Sequence, residues 1–499
     1  MTDAHAGGPG ARRILHLGLG NFHRAHQALY TEDAARSGGP WTITGAAGST
    51  RGVVEALRRQ GMRYHVLTLG PGQTDVREVA SITDAFVAAD EPGRTTAEIA
   101  DPATRIVSLT VTEKGYGISA RTGGLDLDAP AVRDDVAGSP PRSTVGRLAA
   151  GLLRRCRASA EPVTLLSCDN LTANGTTLAG LLRDFAGAMP ARDGAELLAF
   201  LDESVTCPDT MVDRIVPATT DEHRRMAAEA GFDDEVPVPA EPFTMWVMRD
   251  DFAAGRPAWE KAGAVLTDRV HDYETAKVRL LNGVHSLLAY LGMLTGRELI
   301  ADAAADPVVA RAAERLGDEY EPTLVLPGGF DVAAYRRELR ERFANRRLAH
   351  GTAQVGADGS LKLAQRVPGA VLWHRRHGTL PAVLALTVAA WLKCLAHPAA
   401  LPGGRALADP NAERLRAKGE RAARGGTPER RGHELARLCL REEALLGQEL
   451  GGQDEFVAAV GELLAELERG GVAAAVEAAT GSSAGGHRSG GPDVPSGGP

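Results

Sequence analysis

One stretch near the middle of the chain concentrates side chains that could do acid–base chemistry. Glu274, Lys277, Asn282 and His285 stand close together in an otherwise apolar segment. In an α-helix, Glu274, His285 and Asn282 would lie about 60°, 80° and 140° around the axis from Lys277. All four would then share one arc of the helix. Two interpretations remain open at this point, a functional cluster and an ordinary solvated helix face, because polar groups are costly to bury without partners.

The residue types in this segment suit proton transfer at an oxygen atom. Burial lowers the pKa of a lysine, so Lys277 could accept a proton near neutral pH. Asn282 could donate a hydrogen bond to a carbonyl or alkoxide oxygen. His285 could hold a substrate hydroxyl, and Glu274 could pass a proton to solvent. Such a site would interconvert a carbonyl and an alcohol without a metal ion.

A glycine turn near the start of the chain is the second candidate feature. The apolar run Ile14–Leu17 predicts a buried strand that ends at Gly18 and Gly20, and the spacing predicts a helix over Ala25–Ala35. The first glycine would permit a tight turn, and the second would let a pyrophosphate approach the backbone. His23 stands where a third glycine is usual. The turn therefore predicts either a dinucleotide site or an ordinary loop.

The second predicted strand, Trp41–Thr44, is placed where dinucleotide-binding folds hold the ribose. NAD enzymes usually place a carboxylate at the end of this strand, but the loop over residues 45–51 contains none. Ser49, Thr50 and Arg51 could receive a 2′-phosphate there, or they could merely cap the next helix. If the turn does bind a dinucleotide, the cofactor is NAD or NADP, and the candidate binding residues are Gly18, Gly20, Asn21, Phe22, Ser49 and Arg51.

Two more polar clusters follow predicted strands. The first begins at Ser167, after the strand Val163–Ser167, and includes Asn174. It would lie at the carboxyl end of a strand, where open α/β sheets place ligands, although an Asx-rich turn has the same composition. The second cluster spans residues 207–217. Cys168 and Cys207 have no adjacent base in sequence, and we interpret both as packing residues.

His23 and His26 are three residues apart and could suggest a metal site. With no nearby carboxylate or cysteine in ligand spacing, we predict hydrogen bonding at the helix entry instead, and no metal site in the chain.

Alternating strands and helices up to about residue 270 predict a parallel sheet with helices on both faces, and helical patterns dominate beyond that point. Tyr64–Leu69 and Val76–Ile82 are predicted to form a hairpin within this part. The predicted fold class is α/β, with an N-terminal Rossmann-type parallel sheet domain followed by a mostly α-helical C-terminal domain. The predicted divisions are 1–11, a disordered N-terminus; 12–270, the dinucleotide-binding domain; 271–478, the helical substrate and catalytic domain; and 479–499, a disordered tail.

Composition excludes several function classes. The chain has 499 residues and a net charge of −8, which argues against nucleic-acid binding through bulk charge. Its 5 cysteines contain no CxxC pair, so a disulfide framework is not expected. The first residues lack the apolar stretch of a secretory signal, and no apolar run is long enough to span a bilayer. We therefore predict a cytoplasmic protein whose partner is a small molecule rather than nucleic acid or a membrane.

Several segments together resemble the mannitol dehydrogenase family, the long-chain polyol-specific dehydrogenases and reductases. The likeness runs from about Ile14 to Gly470. The matching segments are Gly18–Gln27, Thr110–Tyr116, Ser167–Asn170, Asp213–Pro217, Glu241–Phe243 with Trp246, Gly255–Pro257, Lys277–Gly292, Asp358–Lys362 and Gln365–Arg366.

The resemblance implies a Rossmann-type domain, a helical domain and metal-independent hydride transfer between NAD(P) and a secondary alcohol or ketone. The family pattern K-x4-N-x2-H falls on Lys277, Asn282 and His285, which makes Lys277 the implied general acid/base. By the same likeness, Asn282 and Asn174 would bind the carbonyl oxygen, and Glu274 would lie in the proton path. The implied substrate-positioning residues are Asp213 and His285, with Arg366 as a further substrate contact.

Residues 113–116 (Glu-Lys-Gly-Tyr) resemble the fructuronate reductase branch, which interconverts D-mannonate and D-fructuronate. Mannitol 2-dehydrogenase and other polyol dehydrogenases, such as arabinitol dehydrogenase, are the alternatives within the family. A uronate substrate needs a cationic partner, and Lys114, Lys362 and Arg366 are the candidates. An alternative of another class is a catalytically silent dinucleotide-binding sensor.

Overall fold

The computed structural model describes residues 12–119, 121–442 and 445–481. The predicted disordered N-terminus and residues 482–499 of the predicted tail lie outside this part of the chain. The last described helix, Gly471–Gly481, continues past residue 478, where that tail was predicted to begin. The chain forms two compact units. The N-terminal unit comprises residues 12–275 with Leu326–Gly328, and the C-terminal unit comprises residues 276–325 and 329–481.

A six-stranded parallel sheet forms the centre of the N-terminal unit. Its strand order is β5-β2-β1-β6-β7-β8, and every neighbouring pair is parallel. The strands are β1 (Arg12–Leu17), β2 (Trp41–Ala47), β5 (Ile82–Val87), β6 (Thr104–Leu109), β7 (Val163–Ser167) and β8 (Val205–Thr206). The predicted Rossmann-type sheet is therefore confirmed. Because the central strands are buried on both faces, they are nearly continuous apolar runs, and all five residues of β7 are buried.

Two small three-stranded sheets flank the main one, in the orders β10-β3-β4 and β12-β11-β9. Their strands are β3 (Tyr64–Leu69), β4 (Thr74–Val79), β9 (Thr210–Asp213), β10 (Val238–Ala240), β11 (Met245–Met248) and β12 (Val265–Leu266). The predicted hairpin of β3 and β4 is present. The second strand of the hairpin was predicted to run to Ile82, but it ends at Val79. Ala80 and Ser81 interrupt the strand, and Ile82 is the first residue of β5 in the main sheet. The Ser81 hydroxyl donates to the Ala28 carbonyl at this break.

The helices of the N-terminal unit cover both faces of the sheet. They are α1 (Asn21–Ala25), α2 (Gln27–Gly38), α3 (Arg51–Arg59), α4 (Pro92–Ala100), α5 (Pro130–Val136), α6 (Thr144–Ala158), α7 (Asn174–Ala188), α8 (Ala191–Ser204) and α9 (Asp221–Glu229), followed by α10 (Val270–Ala276) at the boundary of the units. Short 3₁₀ helices span Glu113–Tyr116 and Trp259–Ala262. The single helix predicted over Ala25–Ala35 is in fact divided at His26, whose ψ of −91 interrupts it.

The described part of the C-terminal unit is helical, as predicted. It begins with a π-helix, Lys277–Gly283, which continues as α11 (Val284–Leu294). The other helices are α12 (Ile300–Ala305), α13 (Pro307–Tyr320), α14 (Val332–Ala344), α15 (Thr352–Gly356), α16 (Gly359–Arg366), α17 (Pro368–Arg376), α18 (Ala382–Ala396), α19 (Ala412–Ala422), α20 (Pro428–Ala436), α21 (Gln448–Gly451), α22 (Asp454–Arg469) and α23 (Gly471–Gly481), with a second π-helix over Arg437–Glu442 and 3₁₀ turns at Glu321–Thr323, Arg346–Leu348, Pro398–Ala400 and Pro402–Gly404.

None of the helices within the described ranges is both long and apolar enough to cross a membrane.

The core of the C-terminal unit is built on two apolar helices. Every residue of α11 except its last is buried, and α18 packs against it with its own side chains almost all buried. The amino end of α18 therefore also lies inside the protein, where its free N–H groups need acceptors. Glu319, in the last turn of α13, supplies them, because its two carboxylate oxygens accept from the N–H groups of Val383 and Leu384 at 2.8 Å.

Glu319 is expected to make stability depend on pH. Burial raises its pKa from 4.5 to about 7, although the two N–H donors partly oppose that rise. The folded state therefore holds this proton more tightly than the unfolded state does. The protonated Glu319 carboxyl group therefore contributes about 3 kcal/mol to the free energy of unfolding. This contribution is complete below pH 4.5 and is lost as the pH rises from 4.5 to about 7.

The measurement compares the melting temperature of the unaltered chain with that of Glu319→Gln from pH 4.5 to 8. Because only the unaltered chain loses this contribution, its melting temperature should fall relative to that of the variant as the pH rises. Glu298→Gln is the control, since the Glu298 side chain is 80% exposed. A constant difference between Glu319→Gln and the unaltered chain over this range would contradict the expectation.

Candidate active site

The glycine turn after β1 has two positions with different steric requirements. Gly18 has a φ of +103°, and a Cβ built there would lie 2.0 Å from the Thr110 carbonyl oxygen. No residue with a side chain fits this position without moving the backbone. At Gly20 the nearest non-neighbouring atom would lie 3.8 Å from an added Cβ, so the protein leaves open space there. Such an uncovered backbone fits the close approach of a dinucleotide pyrophosphate.

Two buried histidines, His16 and His23, contact this turn and each other. The His16 ring lies 2.9 Å from both Ser108 Oγ and Thr110 Oγ1 and 3.1 Å from the Gly18 carbonyl oxygen. Burial lowers the pKa of His16 to about 3, so the ring is neutral at physiological pH. His23 stacks on His16 with ring centroids 3.4 Å apart and interacts with Gln27 at the start of α2. Its predicted hydrogen bonding at the helix entry stays a prediction.

At His26 the same prediction agrees with the contacts, because its Nε2 lies 3.3 Å from the Met245 carbonyl oxygen.

The predicted cofactor residues Asn21 and Phe22 lie in the short helix α1. The Asn21 amide donates to the Pro217 carbonyl and to Thr219 Oγ1, both at 3.1 Å, and its Oδ1 accepts from Arg24 at 2.6 Å. The Asn21 side chain is thus engaged within the unit, which leaves its backbone for any contact with a cofactor. Phe22 stacks on the ring of His26, with centroids 4.9 Å apart.

The loop after β2 is exposed at Ser49 and carries a cation that is already paired. Arg51 Nε donates to Asp90 Oδ2 at 2.8 Å, and a second guanidinium nitrogen contacts Oδ1 of the same carboxylate. Asp90 follows β5, the neighbour of β2 in the sheet. A carboxylate therefore does lie at the predicted ribose-binding edge, but it comes from the turn after β5 and not from the loop after β2 itself.

The polar cluster after β7 is held by internal hydrogen bonds. Asp169 accepts from the backbone N–H groups of Val111 and Thr112 at 3.0 Å and from the Tyr116 hydroxyl at 2.8 Å, and burial raises the pKa of its carboxyl group. The Asn174 amide donates to the Ser167 and Asp169 carbonyls and to Thr210, and its oxygen accepts from the Thr210 N–H at 2.9 Å.

The fully buried Asn174 side chain thus joins β7, α7 and β9. Its implied role at the substrate carbonyl stays a prediction.

Glu274 lies against this same cluster within the N-terminal unit. Its Oε2 is 3.5 Å from the Ala173 backbone nitrogen and 3.4 Å from His271 Nδ1. These contacts bring Glu274 to the start of α7, beside Asn174.

Asp213, a predicted substrate-positioning residue, is the last residue of β9. It is buried and faces Met245 of β11 in register.

The cysteines of the two polar clusters are poor nucleophiles. Burial raises the pKa of both thiols, to about 12 for Cys207. This agrees with their interpretation as packing residues.

The segment that carries Lys277, Asn282 and His285 is not the regular α-helix that the sequence suggested. Lys277–Gly283 is a π-helix, in which hydrogen bonds join residues five apart instead of four. The wider turn brings residues i and i+5 closer in angle than α-helical spacing does, so Lys277 and Asn282 are nearer to a common face than in an α-helix. The predicted angle of about 140° between them was wrong because it assumed α-helical spacing. π-turns are rare and occur frequently at functional sites.

Lys277 and His285 are both nearly buried, with 8% and 9% of their surfaces exposed. The pKa of His285 lies well below its usual value, first because of burial and then because positive charge surrounds it. The neighbouring groups that lower this pKa are His350, Arg366, Arg342 and Lys362, of which the last three are cations. His285 is therefore a neutral ring, and its Nε2 has no hydrogen-bond partner in the described part of the chain.

His350 is a further candidate residue that sequence reasoning missed. Its ring lies 5.0 Å from that of His285 in an edge contact, and its Nδ1 is also buried with no hydrogen-bond partner in the described structure. Arg366 Nη1 donates to the Asn282 carbonyl at 2.9 Å and to Ser286 Oγ at 2.6 Å. No sequence spacing identifies His350, because it stands in a loop before α15.

Comparison with known proteins identifies the family of both units. The mannitol dehydrogenase Rossmann domain matches residues 12–261, and the mannitol dehydrogenase C-terminal domain matches residues 269–467. The chain belongs to the mannitol dehydrogenase family. The family resemblance predicted from the motifs is thereby confirmed. The protein is an oxidoreductase acting on CH–OH groups, as members of this family are.

Relatives in the family differ in the substrate and cofactor that their names give. D-mannonate oxidoreductase of Escherichia coli is 41% identical over 76% of this chain and 79% of its own length. Polyol:NADP oxidoreductase of Gluconobacter oxydans is 38% identical over 70% of this chain and 73% of its own. The solved ternary complex of Pseudomonas fluorescens mannitol 2-dehydrogenase with NAD and D-mannitol has a TM-score of 0.81, at 33% identity and 94% coverage of both chains.

Proposed function

We propose that this member of the mannitol dehydrogenase family uses NAD or NADP to interconvert a ketose-type carbonyl and a secondary alcohol, with D-fructuronate and D-mannonate as its substrate pair. The cofactor supplies or accepts the hydride. The open backbone at Gly20 beside the crowded Gly18 supports the assignment of the N-terminal unit to the cofactor. The five free cysteines are consistent with a reducing compartment, and we assign the protein to the cytoplasm.

We assign the proton transfer and the binding of the substrate oxygens to residues of the C-terminal unit. In the reducing direction Lys277 donates a proton to the carbonyl oxygen, and in the oxidising direction it takes the alcohol proton. The Asn282 amide donates a hydrogen bond to the same oxygen as negative charge develops on it. Neutral His285 offers Nε2 to a substrate hydroxyl. The observation that supports this proposal is the π-helix over Lys277–Gly283, because its wider turn reduces the angle between Lys277 and Asn282 relative to an α-helix.

The positive charge around His285 supports a sugar acid over a neutral polyol. Arg342, Lys362 and Arg366 all act on His285 through their charge. Lys362 Nζ donates to the Val355 carbonyl at 3.2 Å, and Arg366 donates to the neutral oxygens of Asn282 and Ser286. A charge-assisted hydrogen bond from Lys362 is an ordinary means of holding a carboxylate.

The test is a steady-state assay of the purified protein with D-fructuronate, D-tagaturonate and D-fructose in one direction and D-mannonate, D-mannitol and D-arabinitol in the other, each with NAD and NADP in the matching redox state. We expect kcat/KM for fructuronate to exceed that for fructose by about 100-fold, the value of one or two good charge-assisted contacts. Preferred turnover of mannitol or arabinitol would overturn the substrate assignment alone. Cofactor binding without any turnover would favour the silent sensor.

Lys362→Met tests whether Lys362 binds the substrate carboxylate. We expect this variant to lose about tenfold or more in kcat/KM for fructuronate and little for fructose, because only the acid needs the cation. Lys114 is the competing candidate; it is exposed in the N-terminal unit, and Lys114→Met tests it. Lys261→Met, at another exposed lysine, should change neither value.

Cofactor preference is expected to depend on the Arg51–Asp90 pair. Asp90→Asn removes a negative charge and releases Arg51, so the ratio of kcat/KM for NADP to that for NAD should rise by about tenfold. Arg51→Ser should lower the same ratio, since a 2′-phosphate would lose its cation. The matched control is Glu235→Gln, which breaks an exposed bidentate pair with Arg59 elsewhere in this unit. An unchanged ratio in both test variants would remove this pair from the cofactor site.

A further inference from the structure

The π-turn of the C-terminal unit is held by contacts from outside its own helix. We propose that Tyr320 and Arg366 are positioning residues that fix this turn in the register giving Lys277 and Asn282 a common face. This inference rests on the proposed function for its kinetic consequences, whereas the ordering of the turn can be measured without any substrate. It assigns Arg366 a role different from the substrate contact that the family resemblance implied.

Arg366 binds where the π-helix passes into α11. The hydrogen-bond register changes by one residue at such a junction, and carbonyl groups near it need donors from elsewhere. Arg366 Nη1 donates to the Asn282 carbonyl at 2.9 Å and to Ser286 Oγ at 2.6 Å, so one guanidinium nitrogen spans the junction. A guanidinium is a rigid, permanently charged donor, and its bonds to neutral acceptors are stronger than those of an amide.

Tyr320 fixes Arg366 and occupies the space beside the turn. Its hydroxyl donates to the Arg366 carbonyl at 3.1 Å, and the side chain is fully buried. A Cβ at Gly283 would lie 2.5 Å from the Tyr320 hydroxyl oxygen and 2.6 Å from Cε2. Glycine at position 283 is therefore required by the close approach of this ring and not by its backbone angles, which are α-helical.

The segment that follows Tyr320 holds the middle of the same turn. Arg279 Nη1 donates to the Thr323 carbonyl at 2.6 Å and to Thr323 Oγ1 at 2.7 Å. Thr323 Oγ1 in turn donates to the Tyr320 carbonyl at 2.5 Å. The turn thus has two external attachments, at Arg279 and at the Asn282 carbonyl, and Tyr320 is common to both. Loss of either attachment would favour regular α-helical spacing, which moves Asn282 away from Lys277.

The experiment combines hydrogen–deuterium exchange with kinetics in the full chain. Tyr320→Phe keeps the ring and removes the hydroxyl group. Arg366→Lys keeps the positive charge and removes the planar guanidinium group. We expect faster amide exchange in peptides spanning residues 277–286 in both variants. We also expect kcat to fall about tenfold to 100-fold, as for a catalytic group displaced by about 1 Å, while KM for the cofactor stays within about twofold.

Thr387→Val is the matched control, because it deletes a buried hydroxyl in the same unit whose hydrogen bond is internal to α18. Its melting temperature should fall about as much as that of Tyr320→Phe, without faster exchange at residues 277–286. The proposal is overturned if exchange in this segment is the same in all three variants. It is also overturned if Arg366→Lys raises only the KM for the sugar substrate, which would make Arg366 a substrate contact. Faster exchange without any turnover in the unaltered chain would retain the structural role and refute the proposed function.

Discussion

Replacing Lys277 by alanine is expected to lower kcat by about 10³-fold in both directions, within the range measured for loss of a general acid/base. The reason is geometric: Lys277 is nearly buried on the π-turn and near the face that carries Asn282, the proposed hydrogen-bond donor to the reacting oxygen. Cofactor affinity should stay within about twofold, because the glycine turn belongs to the other unit. Stopped-flow measurement of hydride transfer and a fluorescence titration of the reduced cofactor would give the two values.

Two further experiments distinguish the loss of a transferable proton at position 277 from the loss of positive charge there. Lys277→Arg keeps a cation that does not deprotonate in proteins, so it should be nearly as slow as Lys277→Ala. Added primary amines should partly restore the rate of Lys277→Ala, and the pH dependence of that rate should follow the amine. Lys261→Ala is the control for loss of an exposed lysine. A rate within tenfold of the unaltered enzyme in either Lys277 variant would exclude it as the acid/base.

Substitution of the two glycines in the turn after β1 should have different effects. Gly18→Ala places a Cβ 2.0 Å from the Thr110 carbonyl and forces a positive φ on alanine, which costs about 1–3 kcal/mol in strain before the overlap is relieved. We expect a lower melting temperature and a cofactor Kd raised about 100-fold or more. Gly20→Ala has open space, so its melting temperature should be unchanged while the cofactor Kd still rises about tenfold, since the pyrophosphate would meet the new methyl group.

Calorimetry of melting and binding on both variants measures these effects. Gly180→Ala is the control: a Cβ there has no neighbour within 4 Å, and alanine should slightly stabilise the interior of α7. If Gly20→Ala bound cofactor as tightly as the unaltered chain, the pyrophosphate could not lie over this turn. If Gly18→Ala melted normally, the turn could not have the described backbone.

Sequence periodicity predicted most of the architecture because the buried strands and amphipathic helices carry strong local signals. The main sheet, the β3–β4 hairpin and the helical C-terminal unit all follow from such patterns. The division of the first helix at His26 was not predictable, since it depends on backbone angles that no residue type at this position dictates.

The candidate site was less predictable because its contacts join residues far apart in sequence. The π-turn depends on donors from Arg366 and on the ring of Tyr320, and helical periodicity alone cannot distinguish it from an α-helix. Asp90 reaches the loop after β2 from the turn that follows β5, and His350 reaches His285 from a loop. The K-x4-N-x2-H pattern of the family falls on the segment that forms the π-turn, and the roles of its residues stay a prediction.

Transfer of deuterium from the cofactor to the substrate tests the central claim most directly. The purified protein is incubated with D-fructuronate and reduced nicotinamide cofactor. One sample receives cofactor with deuterium on one face of C4, and a second sample receives cofactor with deuterium on the other face. We expect D-mannonate with one deuterium on the former carbonyl carbon from one of the two samples, and no such product with Lys277→Ala over the same time. Unlabelled mannonate from both samples, or unchanged fructuronate under conditions where cofactor binds, would contradict it.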